Sequence, residues 1–408
     1  MTLRRVSLAA GLGLVLVAAG CHQDELFRPV VSPFAGGALF ERYVSMGNSL
    51  TMGIQSGGIN DSTQRGAYPV LVAEKMGGAP FYYPSLNMPG CPPPYTNIFL
   101  NQRVGGATST GTTCLFRSPV IPPYLSNVAV TSAKVIDMLQ NGPAPGTNSN
   151  ALTQLVLGGR TQVRAMMDAR PTFATLWIGN NDVLGAVLAT NSGDITLITP
   201  VATLQTQYRA VLDSIKAVGA KALLIGVPNV TAIPYVSAGQ TYFAIKNTPP
   251  SPFPSNFTVG ANCAPRSLGG QGDSVLVPFP FGLALINTAR AGTATTLSCT
   301  EPQTIQPAEL RTLAATVAAY NIYIQSQATA DSLTFGYWNP NPTFDSLRTV
   351  TGQVAPFPNT AAACTASPFG LAFSCDGFHP STAAHRLIAR KVVQTINAWF
   401  GTAVPAIP

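Results

Sequence analysis

The sequence predicts an α/β domain with a parallel sheet. Short apolar runs alternate with segments whose apolar residues recur at helical spacing, which is typical of βαβ units. The chain of 408 residues is long enough to bury a full core, and it contains no internal repeat. We therefore expect one domain over residues 41–403 rather than several.

The predicted strands and helices follow one another in this alternating order. The apolar runs predict strands at 42–46, 80–84, 173–178, 221–227 and 333–338, of which 80–84 has the weakest pattern. Helical spacing predicts helices at 67–76, 200–218, 307–326 and 381–400. The first of these helices is expected to end at Gly77.

Residues 230–305 interrupt the alternation. They are rich in Pro, Gly, Ser and Asn and show little periodicity. Structureless loops of such length are uncommon in compact domains. We interpret this stretch as an insertion within the domain, stapled by a disulfide between Cys263 and Cys299.

The N-terminus is typical of a targeting segment. In residues 1–20 a short basic start precedes an apolar run too short to span a bilayer comfortably. Small residues then precede Cys21. This pattern resembles the lipobox of bacterial lipoproteins, in which the cysteine is lipidated. The alternative is an ordinary secretory signal with an incidental cysteine. With 21–40 as a tether, we expect export and lipid anchoring to the bacterial cell envelope. His22, rather than an aspartate, favours the outer membrane or cell surface.

Charge and cysteine usage narrow the possible partners and cofactors. Charged residues make up 10% of the chain and the net charge is +7, with the basic residues scattered rather than clustered as in nucleic-acid-binding proteins. An even number of cysteines after Cys21 favours disulfides. The simplest pairing is sequential, namely Cys91–Cys114, Cys263–Cys299 and Cys364–Cys375. Zinc is disfavoured because no Cys-x-x-Cys spacing occurs, so no metal and no nucleic-acid partner are predicted.

Ser49 is a candidate nucleophile. It lies in YVSMGNSLTMG, residues 43–53, directly after a β-like run. A serine hydroxyl needs a base, a group that orients the base, and donors for an oxyanion. In open parallel sheets such groups gather at the carboxyl ends of the strands. The alternative is that Ser49 is an ordinary polar residue in a turn.

His379 is the candidate base. Of the other histidines, His22 lies in the tether, and His385 lies inside the last helix, where a packing or surface role is expected. Asp376 precedes His379 by three residues, and Gly377 permits a tight turn that lets the carboxylate reach one imidazole nitrogen. The alternative is an Asp-Gly turn followed by a helix-capping histidine.

Two stretches offer candidate oxyanion donors. Asn181, in Gly179-Asn180-Asn181-Asp182, follows the apolar run FATLWI and can present its side-chain NH₂. Gly106, in a glycine turn, can present its backbone N–H. The alternatives are an Asx turn for Asn181 and a flexible loop for Gly106.

Together these residues resemble the SGNH hydrolase superfamily, also called GDSL lipases or esterases. Its four blocks occur in family order as Gly47-Asn48-Ser49-Leu50, Gly106, Gly179-x-Asn181-Asp182 and Asp376-x-x-His379. The resemblance runs from about residue 41 to about 400, leaving out the insertion. It implies a flavodoxin-like three-layer α/β/α fold with five parallel strands.

The resemblance also implies a role for each matched residue. Ser49 would attack an ester, His379 would be the base, and Asp376 would orient it. The Ser49 N–H, the Gly106 N–H and the Asn181 side chain would hold the oxyanion, and no cofactor is needed. The proposed disulfides would stiffen the loops around Gly106 and Asp376.

Two features depart from the family pattern, namely Asn48 and the insertion at 230–305, which places Ser49 and His379 unusually far apart in sequence. Asn48 stands where the family usually has Asp, which removes a negative charge beside Ser49 but leaves the triad whole. Gly272-Asp273-Ser274 is closer to the family spelling but lies in the insertion. The Val-Pro-Phe-Pro that follows is not expected to start the required helix, so Ser274 is set aside.

The expected function is therefore that of an exported serine esterase. Its substrate would be a carboxylic ester, either a lipid or an acylated glycan. One alternative is a carbohydrate acetyl esterase on the same fold. The other is a non-catalytic lipoprotein that binds lipid or sugar. Asn48 is the one sequence feature that favours this alternative.

Overall fold

The structure is a computed structural model that describes residues 37–106, 122–142 and 146–408. Its strands are β1 (Tyr43–Gly47), β2 (Tyr95–Asn97), β3 (Gln102–Arg103), β4 (Phe173–Trp177), β5 (Lys221–Ile225), β6 (Val236–Ala238), β7 (Phe257–Val259), β8 (Leu276–Pro278), β9 (Thr295–Leu297) and β10 (Phe335–Trp338). Cys21 and Cys114 lie outside the described residues, so lipidation and the Cys91–Cys114 pairing stay predictions.

The α-helices are α1 (Ser49–Met52), α2 (Asp61–Arg65), α3 (Tyr68–Met76), α4 (Ala151–Leu157), α5 (Gln162–Ala169), α6 (Asn181–Leu188), α7 (Val201–Ala217), α8 (Gly239–Asn247), α9 (Phe279–Arg290), α10 (Pro307–Ala330), α11 (Asn341–Arg348) and α12 (Thr382–Phe400). Short 3₁₀ helices occur at Ala38–Phe40, Ile136–Met138, Ile195–Leu197, Ala261–Cys263, Arg266–Leu268 and Cys364–Ala366. The four predicted helices are confirmed as α3, α7, α10 and α12.

The main sheet is parallel and has the strand order β1-β4-β5-β10. Four of the predicted strands are confirmed in it. The predicted strand at 80–84 is wrong, because prolines at both of its ends lack the N–H that a ladder needs. The outer edge of β1 is instead paired with residues 126–130. There, Val128 donates its N–H to the Ser45 carbonyl oxygen at 3.0 Å, and Ser45 bridges Asn127 in parallel.

The two faces of the sheet carry separate cores, as alternation along the strands requires. On one face Val44, Leu176 and Leu224 pack with residues of α5, α7 and α10. On the other face Phe173, Trp177 and Ile225 pack with residues of α3 and α12. The result is a three-layer α/β/α arrangement, as expected. The described sheet has four regular strands rather than five, with 126–130 as an irregular fifth segment.

The 230–305 insertion is folded rather than loop-like. It contains β6–β9, α8 and α9, which surround a small core that includes Tyr242, Phe257 and Ile286. The Cys263–Cys299 disulfide lies in this core, with an S–S distance of 2.07 Å, and the pairing is confirmed. The aromatic residues are scattered between turns, so they build a core without producing a clear period in the sequence.

The second confirmed disulfide joins Cys364 and Cys375 at 2.04 Å. Cys91 is also disulfide-bonded. Over the described ranges, no group of three or more His, Cys, Asp or Glu side chains is arranged to hold a metal ion. Within those same ranges no helix has both the length and the apolar character needed to cross a membrane.

Candidate active site

Ser49 lies where the first strand of the sheet meets a helix. β1 ends at Gly47, and the Asn48 side chain caps α1 by accepting the Leu50 N–H at 3.2 Å. Gly47 has a φ of +156°, and a Cβ atom there would lie 2.5 Å from the Trp177 carbonyl oxygen. Only glycine fits this bend, which places Ser49 at the carboxyl end of the sheet.

His379 and Asp376 form a buried pair just before α12. Nδ1 of His379 lies 2.8 Å from Oδ2 of Asp376, and the two side chains are 7% and 3% exposed. Because a carboxylate only accepts hydrogen bonds, Nδ1 carries the proton in this pair, and in the neutral form of the ring this leaves Nε2 as an acceptor. This is the contact expected from the spacing. Gly377, with φ +77°, forms the turn between the two side chains.

Asp376 accepts hydrogen bonds from more than its histidine. Its Oδ2 also accepts the Gly57 N–H at 2.6 Å, and its Oδ1 accepts the N–H groups of Phe378 and His379 and the Ser374 hydroxyl. Burial alone would raise the pKa of Asp376. The charge of His379 and the hydrogen bonds from His379 and Phe378 outweigh burial, so the pKa lies below its usual value. The carboxylate therefore stays ionised near neutral pH.

A turn at residues 55–58, shortly after α1, connects the serine side of the site to the acid side. The Ser56 N–H donates to Ser374 Oγ at 2.8 Å, and the Cys375 N–H donates to the Ser56 hydroxyl at 3.1 Å. The disulfide at Cys375 fixes the same segment to Cys364. These hydrogen bonds thus fix the position of the segment that contains Asp376 relative to the turn that follows Ser49.

Ser49 and His379 line one pocket of about 40 Å³. They are 7% and 6% exposed. Further walls come from Leu50, from Asn180 and from the turn at 228–233 that follows β5. The two residues therefore line the same small pocket and are both largely shielded from solvent, where electrostatic interactions are stronger than in open water.

The two asparagines after β4 have different partners. Asn180 lines the pocket of Ser49 and accepts a hydrogen bond from Nδ2 of Asn48 at 2.9 Å. Asn181, the predicted oxyanion donor, donates from Nδ2 to the Ala133 carbonyl oxygen at 3.0 Å and is not among the residues that line the pocket. An amide nitrogen carries two N–H bonds, so the second remains as a donor.

Gly106 lies away from this constellation. It is exposed, has a φ of +81°, and donates its N–H to the Arg103 carbonyl oxygen at 3.2 Å. It is not among the residues that line the pocket of Ser49. The structure therefore does not bring Gly106 together with the other predicted site residues.

A segment that the predictions missed lies nearer the site. Val130 donates its N–H to the Gly47 carbonyl oxygen at 3.2 Å, and Ala133 accepts the Asn181 side chain. Residues 131–133 therefore lie between the end of β1 and the start of α6. The run Asn127-Val128-Ala129-Val130 was the available signal, since β-branched residues favour strands.

The residues set aside in the sequence lie elsewhere. Ser274 donates its hydroxyl to the Gln271 carbonyl oxygen at 3.1 Å, inside the insertion. A helix nevertheless begins at Phe279, so the expectation that the nearby prolines would prevent one is wrong. Proline is tolerated in the first helical turn because its missing N–H has no intrahelical partner there. His385 is fully buried within α12, in a packing role.

Comparisons with known proteins place the chain in a family. The model of the GDSL-like lipase/acylhydrolase family matches residues 43–392. A comparison with curated proteins finds no significant match. Among solved structures, the chain is similar to a catalytic mutant of an acetylxylan esterase from Geobacillus stearothermophilus, with 12% identity and a TM-score of 0.37 over 90% of this chain and 96% of that one.

A second similar structure is a putative GDSL-like lipase from Parabacteroides merdae, with 11% identity and a TM-score of 0.35 over 88% of this chain and 96% of that one. Such low identities transfer no substrate. The family match spans most of the chain and includes the Ser49 and His379 segments. The protein therefore belongs to the GDSL-like lipase/acylhydrolase family and is a carboxylic ester hydrolase.

Proposed function

We propose that the protein is a serine esterase in which Ser49, His379 and Asp376 form the catalytic triad. The observation that carries the proposal is the buried Asp376–His379 pair, whose ring lines the same pocket as Ser49. The pairing of Nδ1 with a carboxylate leaves Nε2 to accept a proton, which is what a general base requires.

The proposed reaction has two halves. Ser49 Oγ attacks the acyl carbon while Nε2 of His379 takes the hydroxyl proton, and the carbonyl oxygen becomes an oxyanion. When the oxyanion collapses, the C–O bond to the alcohol breaks and Nε2 returns the proton to the alcohol. Water then gives a proton to Nε2 and attacks the acyl carbon. The bond between that carbon and Ser49 Oγ breaks, Nε2 returns the proton to Oγ, and the carboxylic acid is released. Asp376 stays ionised and stabilises the imidazolium in both halves.

For the oxyanion we propose the Ser49 backbone N–H and the Asn181 side chain. Ser49 opens α1, and the first N–H groups of a helix lack intrahelical partners. The Ala133 carbonyl oxygen fixes the orientation of the Asn181 amide. Gly106 is left out, because its N–H already donates to Arg103.

Labelling with a fluorophosphonate tests the triad without knowledge of the substrate. The protein starting after Cys21 should form an adduct that mass spectrometry locates on Ser49. Ser49→Ala should abolish the adduct, and His379→Ala should slow its formation strongly, whereas Ser274→Ala, the matched serine control, should label normally. If the folded wild-type protein fails to label, the triad proposal is wrong and the non-catalytic binding alternative takes its place.

We also propose that the protein is exported and anchored through a lipid on Cys21. The basic and apolar N-terminal segment that ends in small residues before Cys21 supports this. The disulfides Cys263–Cys299 and Cys364–Cys375 fit an oxidising compartment. In a bacterial host, Cys21→Ser should abolish incorporation of labelled fatty acid and move the protein from the membrane fraction to the soluble fraction. Unchanged membrane association and labelling would contradict the anchor.

A further inference from the structure

A second, more apolar pocket adjoins the pocket of Ser49 and His379. The two pockets share five lining residues, namely Leu50, Pro228, Asn229, Ile233 and Phe378. Leu50 directly follows Ser49, and Phe378 directly precedes His379. The two pockets therefore adjoin beside the reacting groups, and together they are called the groove.

The far part of this groove is lined mainly by carbon. Phe344 and Leu347 of α11 form one side, and Ala372 and Phe373 form another. Asp345 and Arg348 also line the groove, but both residues are exposed to solvent. The groove therefore has apolar walls and a charged mouth.

The groove is also held rigidly. The Asn341 side chain, at the start of α11, donates from Nδ2 to the Val227 carbonyl oxygen at 3.0 Å and accepts the Asn229 N–H at 2.7 Å. These bonds lock α11 to the turn after β5. A preformed apolar groove binds a ligand without the additional cost of ordering the protein.

We propose that this groove holds the acyl chain of the ester and selects medium-length chains, such as octanoyl, over acetyl. The inference rests on the proposed triad. The acyl group is the part of the ester that becomes bonded to Ser49, so a groove that begins at Leu50 lies next to the chain on the acyl carbon. An acetyl group would leave the groove unfilled. A long chain would reach the exposed residues Asp345 and Arg348, where further methylenes are no longer buried.

The expected size of the effect follows from apolar burial. Each methylene that the groove removes from water should raise kcat/KM about fourfold, as long as the binding is expressed in the transition state. We therefore expect kcat/KM to rise from acetyl through butanoyl to octanoyl esters, and to level off or fall at palmitoyl.

The first experiment measures kcat/KM for p-nitrophenyl esters of these four acids, with a constant leaving group. In Ala232→Phe, a bulky side chain is placed in the groove wall. The ratio of kcat/KM for octanoyl to that for acetyl should fall at least about tenfold. The matched control is Ala315→Phe on the exposed face of α10, which should keep the wild-type ratio. Should Ala232→Phe fail to fold, Phe344→Ala supplies a second test and should shift the optimum to longer chains.

Two outcomes separate failure of this inference from failure of the triad. If Ser49 labels normally but acetyl is the best acyl group, the groove assignment is overturned and the esterase stands, as a carbohydrate acetyl esterase would behave. Acetyl esters of alcohols of increasing length provide the other check. If the rate follows the alcohol rather than the acyl chain, the groove binds the alcohol and the proposal is wrong.

A binding measurement stands apart from catalysis. Calorimetry on Ser49→Ala should show that octanoate binds and that acetate does not, and Ala232→Phe in the same background should weaken octanoate binding. If Ser49 neither labels nor supports hydrolysis, this result still decides whether the groove takes an acyl chain. Equal or absent binding of both acids would overturn the inference.

Discussion

The loop before α12 and the interior of α12 each bury a histidine, with opposite consequences. His379 pairs through Nδ1 with the Asp376 carboxylate and lines the pocket of Ser49. His385 is fully buried; its Nδ1 accepts the Tyr68 N–H at 3.3 Å and its Nε2 has no partner among the described residues. Burial, reinforced by the charge of His379, lowers the pKa of His385 to about 3.

The difference shows what a buried imidazole needs to do chemistry. A carboxylate partner stabilises the charged form that a general base passes through, and a pocket gives the other nitrogen access to a substrate. His385 has neither a carboxylate partner nor access to the pocket. Its ring therefore stays neutral and acts as a core residue that satisfies the backbone N–H of Tyr68.

The sharpest test of the comparison is to change each histidine in turn. His379→Ala should lower kcat/KM by about 10⁶-fold, because the serine loses its base. His385→Asn, which keeps an acceptor for the Tyr68 N–H, should change kcat/KM less than about threefold while altering thermal stability. Ester hydrolysis and thermal melts on both variants provide the measurement. Similar activity losses in the two variants would break the comparison.

The second test removes the charge that distinguishes the two environments. Asp376→Asn should lower kcat by about 10²- to 10⁴-fold, because an amide directs its NH₂ at donors whichever way it is turned. The variant should also be less stable, since buried N–H groups that faced the carboxylate lose their acceptor. Asp213→Asn on the exposed face of α7 is the matched control and should behave like the wild type. Retained activity in Asp376→Asn would show that the carboxylate is only structural.

The third test measures how the stability of the protein depends on pH, and it concerns His385 inside α12. The unfolded chain protonates His385 below its ordinary pKa of 6.5, whereas the folded protein resists until about pH 3. A lowered folded-state pKa of a histidine therefore means that stability is lost as the pH falls through this window. The loss should be about 2 kcal/mol by about pH 5.

His385→Asn should lack this slope in denaturant unfolding followed across the same pH range. Asp182 contributes a slope of opposite sign, since burial raises its pKa to about 7, but it is common to both proteins and cancels in the difference. The lowered pKa of Asp376 contributes stability that is lost only at lower pH, as the pH falls through its folded-state pKa. Parallel curves for the wild type and His385→Asn would show that His385 is protonated in the folded state.

Local spacing was enough to predict the part of the site that is local. Asp376 and His379 lie three residues apart, so one turn determines their contact, and Ser49 follows a strand whose apolar run is plain in the sequence. Gly106 shows the limit. Which loop approaches the end of β1 depends on pairing between distant parts of the chain. The irregular 126–130 segment, which pairs with β1, was therefore not predicted. The insertion core likewise depends on aromatic residues that meet only in three dimensions.

The smallest expected effect comes from changing Ser374. This change tests whether Asp376 needs hydrogen bonds beyond the one from His379 to serve the site. Its hydroxyl donates to Asp376 Oδ1 at 3.2 Å and accepts the Ser56 N–H at 2.8 Å. Ser374→Ala removes one of several donors to the carboxylate and leaves the Ser56 N–H without its acceptor. We expect a loss of about 1–2 kcal/mol in the free energy of unfolding. We expect a loss of about three- to tenfold in kcat, because the remaining donors still hold Asp376.

Because a donor to the ionised form is lost, the pKa of Asp376 should rise, and the acidic limb of the kcat–pH profile should move to higher pH. Ser214→Ala on α7, whose exposed hydroxyl donates to the Ala210 carbonyl oxygen, is the matched control and should change neither kcat nor the profile. If Ser374→Ala is destabilised but keeps the wild-type pH profile, Ser374 has only a structural role. A shifted profile would show that the hydrogen bonds to Asp376 help His379 to act as a base. His385 has no carboxylate partner of this kind.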